Sequence, residues 1–151
     1  MCGNVKMVDI TEKDIVVRTA AARGRIRLKP ETVNRIKRGL VEKGNVLEIA
    51  KIAAIIAAKK TSEIIPLCHP IPITNIEVNT IILDDENIEV ETIVKAEAKT
   101  GVEMEAITAT AIALVTIWDM VKMYEKDDRG EYPKTKIEEI RVEWKVKESK
   151  Q

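Results

Sequence analysis

The chain has a single histidine, His69, set in Pro66-Leu-Cys-His-Pro70 with Pro72 two residues further on. Three prolines so close together fix φ repeatedly and withdraw three backbone donors, so this loop is stiff. A stiff frame around a side chain that titrates near neutrality suits proton transfer; the structural alternative is a half-buried histidine bonded to nearby backbone. Cys68 beside it makes a poor metal pair, because adjacent ligands have little bite and too few Cys and His remain to complete a tetrahedral site. Glu103 and Glu105, in Gly101-Val-Glu-Met-Glu-Ala, stand at a helix start, where the macrodipole favours negative charge, and point to different sides of that helix. Asp119 and Lys122 form an i,i+3 pair on an otherwise apolar helix. The simple reading is an intrahelical ion pair, but burying such a pair is costly, which favours a cleft-facing position. Glu105 and Asp119 lie about 21 Å apart along a continuous helix and cannot touch one atom of a small ligand, so the site is composite or serves distant parts of a large ligand. Lys43, in a helix–helix turn, and Arg18, on the first strand, can join Lys122 in offering positive charge to a phosphorylated ligand, although no P-loop or dinucleotide glycine pattern is present.

The elements that must position these groups follow from periodicity. Residues 1–15 read as an N-terminal tail in which Met7-Val-Asp-Ile10 can dock. Alternation of Arg23, Arg25 and Arg27 with small or apolar residues predicts a one-sided strand over 18–28. Pro30 opens a short amphipathic helix over 30–40, with Val33, Ile36 and Leu40 on one stripe. Asn45 can cap a second helix over 46–60, apolar enough all round to be buried. Two β-branched runs, 75–83 and 88–99, flank the turn Asp84-Asp-Glu-Asn87 and predict a long antiparallel hairpin. A largely apolar helix over about 102–124 and a strand over 136–147, with alternation from Ile140 to Val146, complete the chain. The order is βαββαβ, that of an α+β ferredoxin-like sandwich with helices on one face of an antiparallel sheet, in one domain over 16–148. Apolar residues left on an uncovered face would predict oligomerisation.

Composition bounds the partners. With 151 residues, 45% of them hydrophobic, and 25 basic against 25 acidic side chains, the chain has the size and balance of one globular domain and not those of a strongly basic nucleic-acid binder. It has no Phe and few other aromatics, so base-stacking platforms are not expected. Cys2 and Cys68 cannot form a secreted-type disulfide scaffold. The start lacks a signal-peptide core and no long uninterrupted apolar run is expected to span a membrane, which makes the cytoplasm the expected location.

Three stretches then occur in order: Lys59-Lys-Thr-Ser-Glu-Ile-Ile-Pro-Leu-Cys-His-Pro-Ile-Pro, Lys99-Thr-Gly-Val-Glu-Met-Glu-Ala-Ile-Thr and Ala113-Leu-Val-Thr-Ile-Trp-Asp-Met-Val-Lys. Together they closely resemble the molybdenum cofactor biosynthesis protein C family, the cyclic pyranopterin monophosphate synthases. The resemblance runs from Met7 to the final strand. It implies a lyase that takes a cyclic dihydro-GTP, opens its imidazole ring, rebuilds the skeleton as a pyranopterin, expels pyrophosphate and closes a cyclic phosphate. It further implies a homo-hexamer, a trimer of dimers, with the pocket at a dimer interface. Residue by residue, it assigns catalytic roles to Lys43, His69, Asp119 and Lys122. Substrate contacts fall to Leu67, Cys68, His69, Glu103, Met104 and Glu105, and triphosphate binding to Arg18. The only cofactor left open is Mg²⁺ accompanying the triphosphate; neither nucleic acid nor membrane is an expected partner. Lysine pKa values that fall beside other cations or on burial would fit Lys43 and Lys122 for proton transfer. Bacterial members often end in a glycine- and lysine-rich tail, whereas here no glycine follows Gly130, so Lys145 or Lys147 is expected to substitute. Two rival readings are a non-catalytic ferredoxin-like nucleotide-binding regulatory module and a hydrolase of plain GTP.

Overall fold

A computed structural model describes residues 3–150; Cys2 lies outside them. The order of elements is β1 (Val16–Arg27), α1 (Pro30–Lys37), α2 (Val46–Lys59), α3 (Thr61–Ile64), β2 (Ile73–Ile82), β3 (Asn87–Ala98), α4 (Glu103–Glu125) and β4 (Lys136–Glu148). The four strands form one antiparallel sheet in the order β2-β3-β1-β4. This is the expected α+β architecture, with α2 and α4 packed together over one sheet face.

Local chemistry explains most boundaries. Asn45 caps α2 by accepting the Glu48 N–H at 3.2 Å. Asp84 Oδ1 accepts the N–H groups of Glu86 and Asn87, each at 2.8 Å, and closes the β2–β3 turn. α1 stops at Lys37, short of Leu40, because the chain reverses through Gly39 at φ 66°. On the helix side of β1 and β3, Ala20, Ala22, Ile26, Ile88, Val90 and Val94 are buried against Ala106, Ala109, Leu114 and Ile117 of α4. Gly24 has no side chain because α4 and β4 lie too close: a Cβ there would stand 2.8 Å from Leu114 and 2.9 Å from Ile140. The arginines 23 and 25 take the opposite face, paired with Glu89, Glu91 and Glu138.

Two expectations are corrected. α2 is not buried all round: Val46, Ala50, Ala54 and Ala57 face the core, while Ile49, Ile52 and Ile56 are about half exposed. Small residues turned inward permit close approach to α4 and leave the large ones outside. β4 does not alternate continuously. Register shifts between Ala21 and Ala22 and between Arg23 and Arg25 of its partner, with Glu139 at φ 55°, place Val142 opposite Ala22 but Trp144 opposite Ala21, hence on opposite sheet faces. α4 has the length and mean composition of a membrane span, although Glu103, Glu105, Asp119 and Lys122 interrupt it. Its Ala109, Leu114, Ile117 and Val121 are instead buried in the core of this fold.

The end of α4 is tied to three other segments by Glu125, whose carboxylate is fully buried. It accepts the Lys29 N–H at 3.0 and 3.2 Å, the Thr135 hydroxyl at 2.8 Å and the Thr32 hydroxyl. Glu125→Ala leaves these donors without a partner at about 1–3 kcal/mol each. The expected outcome in chemical denaturation is a loss of several kcal/mol with an unchanged m-value; a loss below about 1 kcal/mol would show the carboxylate to be dispensable. Gly24→Ala should cost about 1–3 kcal/mol in the same assay through overpacking.

Candidate functional site

The expected site residues fall into two clusters at opposite ends of α4. Toward its C-terminal end, Asp119 binds two lysines at once. Lys122 Nζ lies 2.9 Å from Oδ1, one turn along the same helix, and Lys43 Nζ, from the turn between α1 and α2, lies 2.9 Å from both Oδ2 and the Asp119 carbonyl oxygen. The three side chains are between a third and just over a half exposed. The Lys122 and Lys43 bonds bring the Asp119 carboxyl down to about 2, so it is an anion throughout the neutral range. The same bond from Asp119 raises the Lys122 pKa. The expectation of a lowered lysine pKa is therefore reversed at Lys122, because its close partner is an anion that favours the ammonium form. Trp118 and Tyr132 pack edge to face beside the cluster, with ring centroids 5.2 Å apart.

The second cluster surrounds the start of α4. Leu67, Cys68 and His69 line a cleft of about 430 Å³ together with Glu103 and Met104. Val8 and Lys13 also reach this cleft, and the Val8 carbonyl oxygen is 2.8 Å from His69 Nε2. The two acids diverge as expected. Glu105 is buried, with Oε1 3.9 Å from Cys68 Sγ and Oε2 without a hydrogen-bond partner among the described residues. Burial pushes its pKa up, and the Glu103 charge adds to this against its own backbone N–H and Cys68. Burial and the neighbouring Glu105 carboxyl likewise raise the Cys68 thiol. Glu103 is more exposed: burial tends to raise its pKa but is outweighed by its backbone N–H, Lys145 and Arg18, and the net shift is downward. Its carboxylate folds back onto the helix start against Gly101, where a side chain would displace it.

Next to this cleft is a smaller one of about 180 Å³ lined by Arg18, Gly101, Glu103, Lys145 and Lys147. Lys145 Nζ is 3.0 Å from Glu103 Oε1, and Lys147 stands opposite Arg18 in the sheet. Arg18 is partly committed to structure, since Nε and Nη2 donate to the carbonyl oxygens of Ala98 and Lys99 at 3.1 and 3.2 Å. Three cations around one acid can hold a polyanion. Among the described residues, no group of three or more His, Cys, Asp or Glu is placed to hold a metal ion.

Each cluster thus unites residues far apart in sequence, while one copy of the chain does not unite the two clusters. The segment expected to dock at Met7–Ile10 does so, with the Val8 carbonyl on His69; sequence reasoning missed the partner, and the available signal was Asp9-Ile-Thr11, an Asx-turn pattern that fixes irregular backbone without a periodic signature. Because folding raises the Glu105 pKa from its ordinary 4.5, ionising it in place opposes stability increasingly as pH rises above that value. Glu105→Gln should therefore keep or raise Tm at pH 7–8 and flatten its decline from pH 5; a variant less stable than wild type across that range would show that the buried group is favoured as an anion.

Residues 7–148 match the family model described as the MoaC family. The chain is 58% identical over 143 residues to the probable cyclic pyranopterin monophosphate synthase of Thermococcus kodakarensis, an alignment covering 95% of this chain and 91% of that protein. It is 54% identical over 148 residues to the protein of the same name from Saccharolobus solfataricus, covering 98% and 99%. A protein of Methanothermobacter thermautotrophicus, 55% identical over 138 residues and covering 91% and 86%, bears the name probable cyclic pyranopterin monophosphate synthase accessory protein.

Proposed function

Because the chain belongs to the MoaC family, we propose that it is a cyclic pyranopterin monophosphate synthase, a lyase of molybdenum cofactor biosynthesis. In this reading it converts (8S)-3',8-cyclo-7,8-dihydroguanosine 5'-triphosphate to cyclic pyranopterin monophosphate and pyrophosphate. The observation that supports it best is the intact Lys43–Asp119–Lys122 cluster, in which one permanent anion holds two ammonium groups at 2.9 Å. Lys122 acts as a general acid or charge stabiliser, and His69 exchanges protons during ring opening. Arg18, Lys145 and Lys147 stabilise the charge that develops on departing pyrophosphate. Leu67, Cys68, Met104 and Glu105 hold the base-derived end. A Mg²⁺ ion, if used, relies on the oxygens of the triphosphate.

The separation of the clusters by about 21 Å of helix supports a pocket built from two copies, at a dimer interface of a homo-hexamer in the cytoplasm. The half-exposed Ile49, Ile52 and Ile56 on α2 and Val115 on α4 form an apolar face that association would cover. The accessory name of the Methanothermobacter relative favours one second reading, a non-catalytic module that binds the same nucleotide.

Incubation with the cyclic dihydro-GTP, read as pyrophosphate release and pterin fluorescence after oxidation, separates the two. The synthase releases both products and Lys122→Ala stops it; binding without conversion supports the module, and release from plain GTP indicates a hydrolase. A mixing experiment addresses the shared pocket. His69→Ala and Lys122→Ala should each be inactive alone, and randomly reassorted dimers should recover about a quarter of wild-type activity, since half are mixed and each has one intact site. No recovery after verified subunit exchange would place both clusters' work within one copy.

A further inference from the structure

The Val8 carbonyl oxygen 2.8 Å from His69 Nε2 can only accept a hydrogen bond, so Nε2 bears a proton. A neutral imidazole then has its lone pair on Nδ1, for which the described residues supply no hydrogen bond. The backbone bringing Val8 there is held by specific bonds. Asp9 Oδ1 accepts the Thr11 N–H at 2.9 Å and the Thr11 hydroxyl at 2.6 Å, closing an Asx turn. Lys99 Nζ, just beyond β3, donates to the Thr11 carbonyl oxygen at 2.7 Å, and the Lys13 N–H donates to Ile10 at 3.1 Å. Yet Val8 is 72% exposed and belongs to no core cluster. Residues bonded this specifically while burying so little serve an arrangement more than they serve stability.

We propose that residues 8–11 position His69, the Val8 carbonyl holding the Nε2 proton so that Nδ1 is the ring atom exchanging a proton with bound substrate. This rests on the synthase reading for the substrate, but not for the tautomer. In the exchange, the Nδ1 lone pair takes a proton from a substrate N–H or O–H, whose bonding pair stays on the substrate. The resulting imidazolium keeps Nε2–H on Val8, and Nδ1–H later returns the proton to an acceptor on the rearranging substrate. Lys13, the Cys68 thiol and Glu103 line the same cleft as this ring, and Asp9 and Lys99 lie beside it on the N-terminal segment and just beyond β3. Asp9 is a positioning residue: its carboxylate bonds Thr11, and its own pKa is lowered chiefly by that hydroxyl.

The single histidine makes the test direct, because an imidazole ¹H–¹⁵N correlation spectrum of the full chain contains one ring. The expected result in the neutral form is a protonated Nε2 and an unprotonated Nδ1; the opposite tautomer overturns the proposal. Asp9→Ala should produce a tautomer mixture and lower kcat on cyclic dihydro-GTP by about tenfold, with KM changed less than about twofold and Tm unmoved. Asp9→Asn, which keeps the acceptor oxygen, should restore both readouts. An Asp9→Ala protein with wild-type tautomer and kcat also overturns the proposal. Wild-type protein that shows the expected tautomer but no turnover would instead overturn the synthase reading, and the ring's arrangement would stand.

Discussion

The buried carboxylate of Glu125 is the interaction on which the rest of the architecture depends. A carboxyl group buried in the core without partners would be costly, so its position is dictated by the donors of Lys29, Thr32 and Thr135. Those donors belong to the exit of β1, the first turn of α1 and the approach to β4. One side chain therefore joins three chain segments to the last turn of α4 and sets the rotation of that helix about its axis. Lys122 and Asp119, three and six residues earlier, stand about 60° and 120° around the helix from Glu125, which carries them out of the core toward Lys43.

The same helix shows how environment divides labour between carboxylates. Asp119 is wet and doubly paired, and it is an anion down to about pH 2. Glu105 is dry, has one oxygen without a partner and is displaced toward its neutral form. Glu103, two residues from Glu105, is kept ionised by Lys145, Arg18 and the helix start. Three acids of similar intrinsic strength thereby become a fixed charge, an acid shifted toward its neutral form and a cation-paired rim group, the type of divergence that separates roles in acid–base sites.

Much of this was legible in the sequence because it rests on local rules. The Asn45 cap, the Asp84 turn, the period-2 hairpin and the βαββαβ order all appear as expected, and the three stretches that pointed to the family lie where the clusters form. What was not legible depends on neighbours. An apolar helix reads as buried all round until its alanines are seen packed against α4 with its isoleucines outside. The direction of the Lys122 shift depends on whether its nearest partner is Asp119 or another cation, and spacing alone leaves both open. Docking was expected of residues 7–10, but not its partners, because Val8 and Thr11 meet His69 and Lys99 through backbone carbonyls, which have no sequence signature of their own.

The two irregularities of β4 cancel. Ile137 faces the helices, Glu138 faces away, and after the two shifts Lys145 again faces the helices, opposite Ala20, where it reaches Glu103. The strand between Ile137 and Lys145 thus acts as a ruler. Exchanging side chains at residues 139–143 leaves its count intact, but deleting a single residue there would turn Lys145 toward the open sheet face and bring Trp144 inward against α4. For this segment, length is a stricter requirement than identity, and an insertion or deletion would be a more severe genetic lesion than most substitutions.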